Sequence, residues 1–126
     1  MIKLLEKIKS EKGKDIELLE MTSEKSLKTV LIIGVFHGDE SQGEMLIRKF
    51  INENEKQPQN KILLIPCLNP DGKELNTRQN ANGTDLNRNF PTKNYIVTDD
   101  EHYYGGNEPA SASPIRTSLT SRSPPF

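Results

Sequence analysis

The feature that most constrains this chain is the apolar run Val30 to Phe36 (VLIIGVF), which leads without a break into His37-Gly38-Asp39-Glu40. Continuous β-branched and aliphatic runs, with no polar alternation, belong to strands covered on both faces, as in parallel sheets. Thr29 to Phe36 is therefore expected to be a central strand. A helix follows over Ser41 to Asn54, where Met45, Leu46, Phe50 and Ile51 are spaced for one face. After a polar turn at Gln57 to Asn60, Ile62 to Cys67 reads as a second buried strand. Strand, helix and strand in that order make a βαβ unit with parallel pairing and a right-handed crossover. Ligands in such sheets gather beyond the carboxyl ends of the strands. His37 and the turn Asn69-Pro70-Asp71-Gly72 both stand at those ends.

The flanks carry weaker patterns. Leu4, Leu5 and Ile8 are spaced for one face of a short N-terminal helix, Lys12 to Asp15 for a turn, and Ile16 to Met21 for an edge strand. From Glu74 to Tyr104 the periodicity fails, and the side chains become ones that bind: Arg78, Asn80, Asn82, Asp85, Asn87, Arg88, Asn89. A stretch this long, punctuated by Asn82-Gly83 and Phe90-Pro91, reads as an ordered functional loop. Residues 109–126 are rich in Pro and Ser, lack Asp and Glu, and have the composition of a disordered tail.

At 126 residues the chain fits one domain, though 33% apolar content and a mean hydropathy of -0.70 leave burial thin. Its 17 basic and 18 acidic side chains nearly cancel, so no field attracts nucleic acid or an anionic membrane. The single cysteine, Cys67, excludes an internal disulfide and reads as a small buried hydrophobe. No signal-like apolar segment opens the sequence, and no run approaches the roughly 18 residues of a membrane span, so a cytoplasmic location is expected.

His37 and Glu40 are three residues apart at a strand-to-helix junction, and an imidazole with a carboxylate makes a sound pair of zinc ligands. Asp39 reads either as the acceptor that orients the ligating imidazole or as an ordinary helix cap. Taken alone, HGDE also describes a polar turn whose acids suit a helix N-terminus. Arg78 and the segment Asp85-Leu86-Asn87-Arg88-Asn89-Phe90-Pro91 add weight on the side of chemistry. A guanidinium fork matches a carboxylate and can stabilise a forming oxyanion, although a solvated surface charge is the plain alternative. His102 is a further candidate ligand, and Tyr103 and Tyr104 would cover the loop.

Together GVFHGDESQGE, IPCLNPDG and TRQNANGTDLNRNFP resemble the zinc carboxypeptidase superfamily. The likeness is closest to the branch of bacterial murein-peptide amidases and succinylglutamate desuccinylase/aspartoacylase-like proteins. It implies an α/β fold: residues 1–110 would be the N-terminal half of a three-layer catalytic domain with a mixed, largely parallel sheet. Residues 111–126 would be a tail, with a frameshift or premature stop as its simplest origin. By the same resemblance His37 and Glu40 are the first two ligands of a Zn2+ ion. Arg78 polarises the scissile carbonyl, and Asn87 and Arg88 grip the substrate's free α-carboxylate. The implied activity is metal-assisted hydrolysis of an amide or peptide bond beside a free carboxylate, in a small peptide or N-acyl amino acid. The family's third zinc ligand, a histidine, and its general-base glutamate belong to later strands for which this chain has no convincing counterpart. Low zinc affinity, marginal stability and impaired hydrolysis are expected in consequence. A non-catalytic binder of carboxylates or peptide C-termini is the alternative, and a complementing polypeptide that supplies the absent ligands is a third reading.

Overall fold

The β-forming segments assemble into one mixed sheet in the computed structural model, which describes residues 2–22, 28–54, 59–89 and 93. Strands β1 (Ile2–Lys9) and β2 (Asp15–Met21) form an antiparallel hairpin in which Leu4 faces Leu19 and Ile8 faces Ile16. The connecting turn closes through the Gly13 N–H on the Ser10 carbonyl, with Gly13 at φ 78°. The helix expected from Leu4, Leu5 and Ile8 is thus a strand. One short amphipathic turn cannot meet the cost of helix nucleation, whereas a hairpin partner satisfies the backbone and seats Leu5 and Ile8 on the core.

Strands β3 (Thr29–Ile33) and β4 (Lys61–Ile65) run parallel, Thr29 beside Lys61 through Ile33 beside Ile65, and α1 (Gln42–Glu53) connects them. This is the expected βαβ unit. The strand order, β1-β2-β4-β3, differs from expectation in two places. Strand β2, expected at an edge, lies inside, pairing with both β1 and β4. Strand β3, expected at the centre, is outermost among the described residues, and Val30 and Leu31 are 41% and 44% exposed. Apolar patterning reports what a strand is suited to touch, and β3 is suited to more cover than the described residues provide.

Alternation along β4 divides the core between the two faces of the sheet. Ile62 and Leu64 join Met21 of β2 and Ile47 and Ile51 of α1 on one side. Ile65 joins Ile16, Leu18, Leu68 and Leu86 on the other. Half of the expected helix face holds: Ile51 is buried and Phe50 packs against the core, but Ile47 takes the inward place of Met45 and Leu46, which are 65% and 61% exposed. Gly43 explains the difference. A side chain there would press on the backbone of Val35, 3.3 Å from its nitrogen, so the bare glycine lets α1 settle with residues 43, 47 and 51 inward.

Beyond β4 the buried segment Pro66 to Asn69 leads into the short helix α2 (Pro70–Leu75), and a single 3-10 turn covers Leu86–Arg88. No described helix is long and apolar enough to cross a membrane. The expectations placed on residues 55–58, Phe90, Pro91, His102, Tyr103, Tyr104 and the 109–126 tail lie outside the described residues.

Candidate active site

The parallel ladder extends past the ends of β3 and β4. Gly34 donates to the Ile65 carbonyl, Leu68 to Gly34, and Asn69 to Val35, at 2.8, 3.0 and 3.0 Å. At Val35 the chain swings into the left-handed region, φ 55°, a conformation that costs a β-branched residue about 1–3 kcal/mol. Burial of its side chain and the bond on its carbonyl hold it there. The swing delivers His37, 6% exposed, into the interior beyond the strand ends. A turn closed by the Glu40 N–H on the His37 carbonyl then folds Glu40 back, and its carboxylate lies 3.4 Å from Nδ1 of the ring. Glu40 itself remains exposed.

The other ring nitrogen meets a residue far along the chain. Nε2 of His37 lies 3.1 Å from Oδ1 of Asp85, which is buried and caps the 3-10 turn by accepting the Asn87 N–H at 2.9 Å. The other carboxylate oxygen takes Nε of Arg78 at 2.7 Å. Burial pushes the Asp85 carboxyl upward, but Arg78 and then His37 outweigh it and hold it below the usual carboxylate range. A charged carboxylate only accepts, so Nε2 carries the proton and donates. In the neutral ring Nδ1 is then a lone pair, facing a second acceptor, Glu40. Two acceptors at that distance repel unless a cation lies between them. A metal ion would meet that need. The donor set, one imidazole nitrogen and one carboxylate oxygen, suits zinc. Asp85 behind the ring supplies the outer contact that fixes tautomer and orientation. Among the described residues no third ligand joins them.

The fold therefore gathers the sequence candidates around a side chain that was given no role. Arg78 binds Asp85 directly, and the backbone N–H groups of Asn87 and Arg88 donate to its carboxylate and its carbonyl. Asn87 and Arg88 are exposed beside it. Asp39 is exposed, and the carboxylate that orients the imidazole is Asp85 instead. The reason is direction: one residue after the glycine of the turn, Asp39 points to solvent while the ring is buried. The sequence showed Asp85 only as one of several polar side chains in an aperiodic loop; its meeting with a histidine 48 residues away is tertiary. Cys67 is free and buried, and burial pushes its thiol up to about 11, so it is a neutral packing group.

A family model described as zinc carboxypeptidase matches residues 2–121. The human carboxypeptidase N catalytic chain is 31% identical over 128 residues, covering 79% of this chain and 28% of that protein. Murein peptide amidase A of Escherichia coli K12 is 37% identical over 70 residues, 56% of this chain and 28% of the amidase. A metallo-carboxypeptidase from Pseudomonas aeruginosa, solved in complex with (2-guanidinoethylmercapto)succinic acid, superposes with a TM-score of 0.60 at 27% identity. That alignment covers 69% of this chain and 26% of the other. The chain spans about 28% of the length of these two curated relatives. With a match running over almost its full length, this chain belongs to the zinc carboxypeptidase family.

Proposed function

We propose that this chain carries the first part of a zinc-dependent hydrolase that cuts an amide or peptide bond beside a free carboxylate, in a small peptide or N-acyl amino acid. The observation that carries the reading is the imidazole whose Nε2 is committed to Asp85 while Nδ1 faces Glu40. His37 and Glu40 would hold the ion, which when bound supplies Lewis acidity toward a carbonyl and toward water. Arg78, with Nε fixed on Asp85, keeps its other N–H groups as donors for negative charge developing on the substrate. Asn87 and Arg88 would take the substrate's carboxylate, Arg88 by the paired donors of its guanidinium. A third ligand and a general base would come from outside the described residues, so slow or absent turnover is expected of this chain alone.

Binding by calorimetry tests the reading, with an N-acetyl dipeptide and its C-terminal amide compared in the presence of zinc. The free acid is expected to bind at least tenfold tighter than the amide, about 1.4 kcal/mol, and Arg88→Ala should abolish the difference. Equal binding of acid and amide would overturn the carboxylate assignment. Discrimination that persists unchanged without zinc, and in His37→Ala, would favour the non-catalytic binder.

A further inference from the structure

We propose that Asn69 is a positioning residue for this site, its side-chain amide coupling the turn that carries His37 to the loop that carries Arg78. The inference rests on the metal-site reading above and adds to it a residue that touches neither metal ligand.

The ladder between the two strand ends has its last backbone rung at the Asn69 N–H and the Val35 carbonyl. Past Val35 the left-handed turn separates the two backbones, and there the Asn69 side chain takes over. Its Nδ2 donates to the Phe36 carbonyl at 3.3 Å, immediately before His37. The same nitrogen donates to the Gln79 carbonyl at 3.1 Å, immediately after Arg78. Its Oδ1 accepts the Gly72 N–H at 2.9 Å, the cap of α2. Asn69 is 2% exposed. One amide plane thus has three partners in fixed directions, and turning it over would set its oxygen against two carbonyls. The surroundings admit little slack. A methyl group on Gly72 would overlap the Asn69 amide and the Gln79 carbonyl, and one on Gly38 would overlap the backbone of Gly72 and Lys73. The glycines of HGDE and NPDG are therefore the points at which the two loops touch.

An ordinary helix cap requires only the oxygen. The two bonds from Nδ2 are not needed for capping, and both end one residue from a side chain that binds Asp85. Asn69 thereby sets the separation of the two arms, His37 and Arg78, that close on the two oxygens of that carboxylate.

Asn69→Asp separates the two roles, because aspartate caps a helix as well as asparagine but presents an acceptor to the two carbonyls. Asn69→Ser keeps a capping oxygen and removes the amide with less disturbance. The control is Asp71→Asn, a buried neighbour that accepts Ser10 Oγ and the Lys12 N–H and ties the hairpin turn to α2 without touching the site. The readouts are the 15N shifts and long-range 1H–15N couplings of the His37 ring in the metal-free chain, and the affinity for zinc alone. Wild type and Asp71→Asn should show the Nε2–H tautomer, whatever stability the control loses. Asn69→Asp and Asn69→Ser should show mixed tautomers and about tenfold weaker zinc binding, the low end of what outer contacts usually contribute. Asn69 variants that melt earlier yet keep the wild-type ring signals would reduce Asn69 to a cap and overturn the proposal. Should wild type bind no zinc, the functional reading fails, and the ring signals still decide the role of Asn69.

Discussion

The Asp85 carboxylate meets three donors inside the fold: the His37 ring, the Arg78 guanidinium and the Asn87 backbone N–H. Substituting asparagine removes the charge, leaves Arg78 without its counterion and sets an NH2 group against a donor. Arg78 is 39% exposed, so water recovers part of the loss. Asp85→Asn should still cost about 2–3 kcal/mol, the scale of hydrogen bonds to charged groups, seen as a lower urea midpoint. A change within about 0.5 kcal/mol, the range of an ordinary surface substitution, would show that the carboxylate does not organise the site. At this scale the sequence was informative about residue types and silent about partners. His37 and Glu40 stood out at the end of an apolar run, and Arg78, Asn87 and Arg88 in an aperiodic polar loop; the family resemblance gave each its role. Asp85 stood among that loop's polar side chains and Asn69 in a turn at the strand ends, and each caps a short helix. Their second roles depend on contacts with distant residues, and a single sequence does not print those.

Between elements, Glu44 of α1 holds the two helices together, with Arg48 at 2.8 Å on its own helix and Lys73 of α2 at 2.6 Å. Burial raises its pKa, but the bonds from Lys73 and Arg48 prevail and hold it below the usual value of 4.5. A carboxylate depressed in the folded state adds stability that is whole above the unfolded pKa. That contribution is lost as the pH falls through the folded one. Glu44→Gln should therefore cost about 1 kcal/mol near neutral pH, since both cationic partners are half exposed. The difference from wild type should shrink as the pH drops below 4.5, in urea titrations at a series of pH values. A difference that is constant down to acid pH would place the cost in packing rather than charge. Helix α1 was legible from its spacing, and strands β3 and β4 from continuous apolar runs bounded by polar turns. The first segment was not: Leu4, Leu5 and Ile8 fit a helix turn as well as a strand, and the hairpin partner decided. Phe50 and Ile51 of α1 were read correctly as core-facing, but Ile47 was missed for Met45 and Leu46, because Gly43, absent from any hydrophobic count, lies inward against Val35.

Among the described residues the candidate site lies on the side of the sheet where β3 is outermost. Strand β3 is outermost among the described residues, exposes Val30 and Leu31, and ends next to His37. The chain spans about 28% of the curated relatives described above, and beside the two proposed ligands, His37 and Glu40, no third candidate ligand stands among the described residues. That β3 is built for the interior of a sheet was legible from its composition; how much cover it receives was not, because cover belongs to the fold as a whole. In the proposed function Nδ1 of His37 and the Glu40 carboxylate form half of a metal site held from behind by Asp85. Titrating the metal-free chain with zinc by calorimetry, beside His37→Ala and Glu40→Gln, tests it most directly. The expected result is one zinc per chain, lost in His37→Ala and weakened at least tenfold in Glu40→Gln. The affinity should fall well short of the roughly 10–16 kcal/mol of a complete structural site. Zinc binding unchanged in both variants, or none in wild type, would contradict the claim.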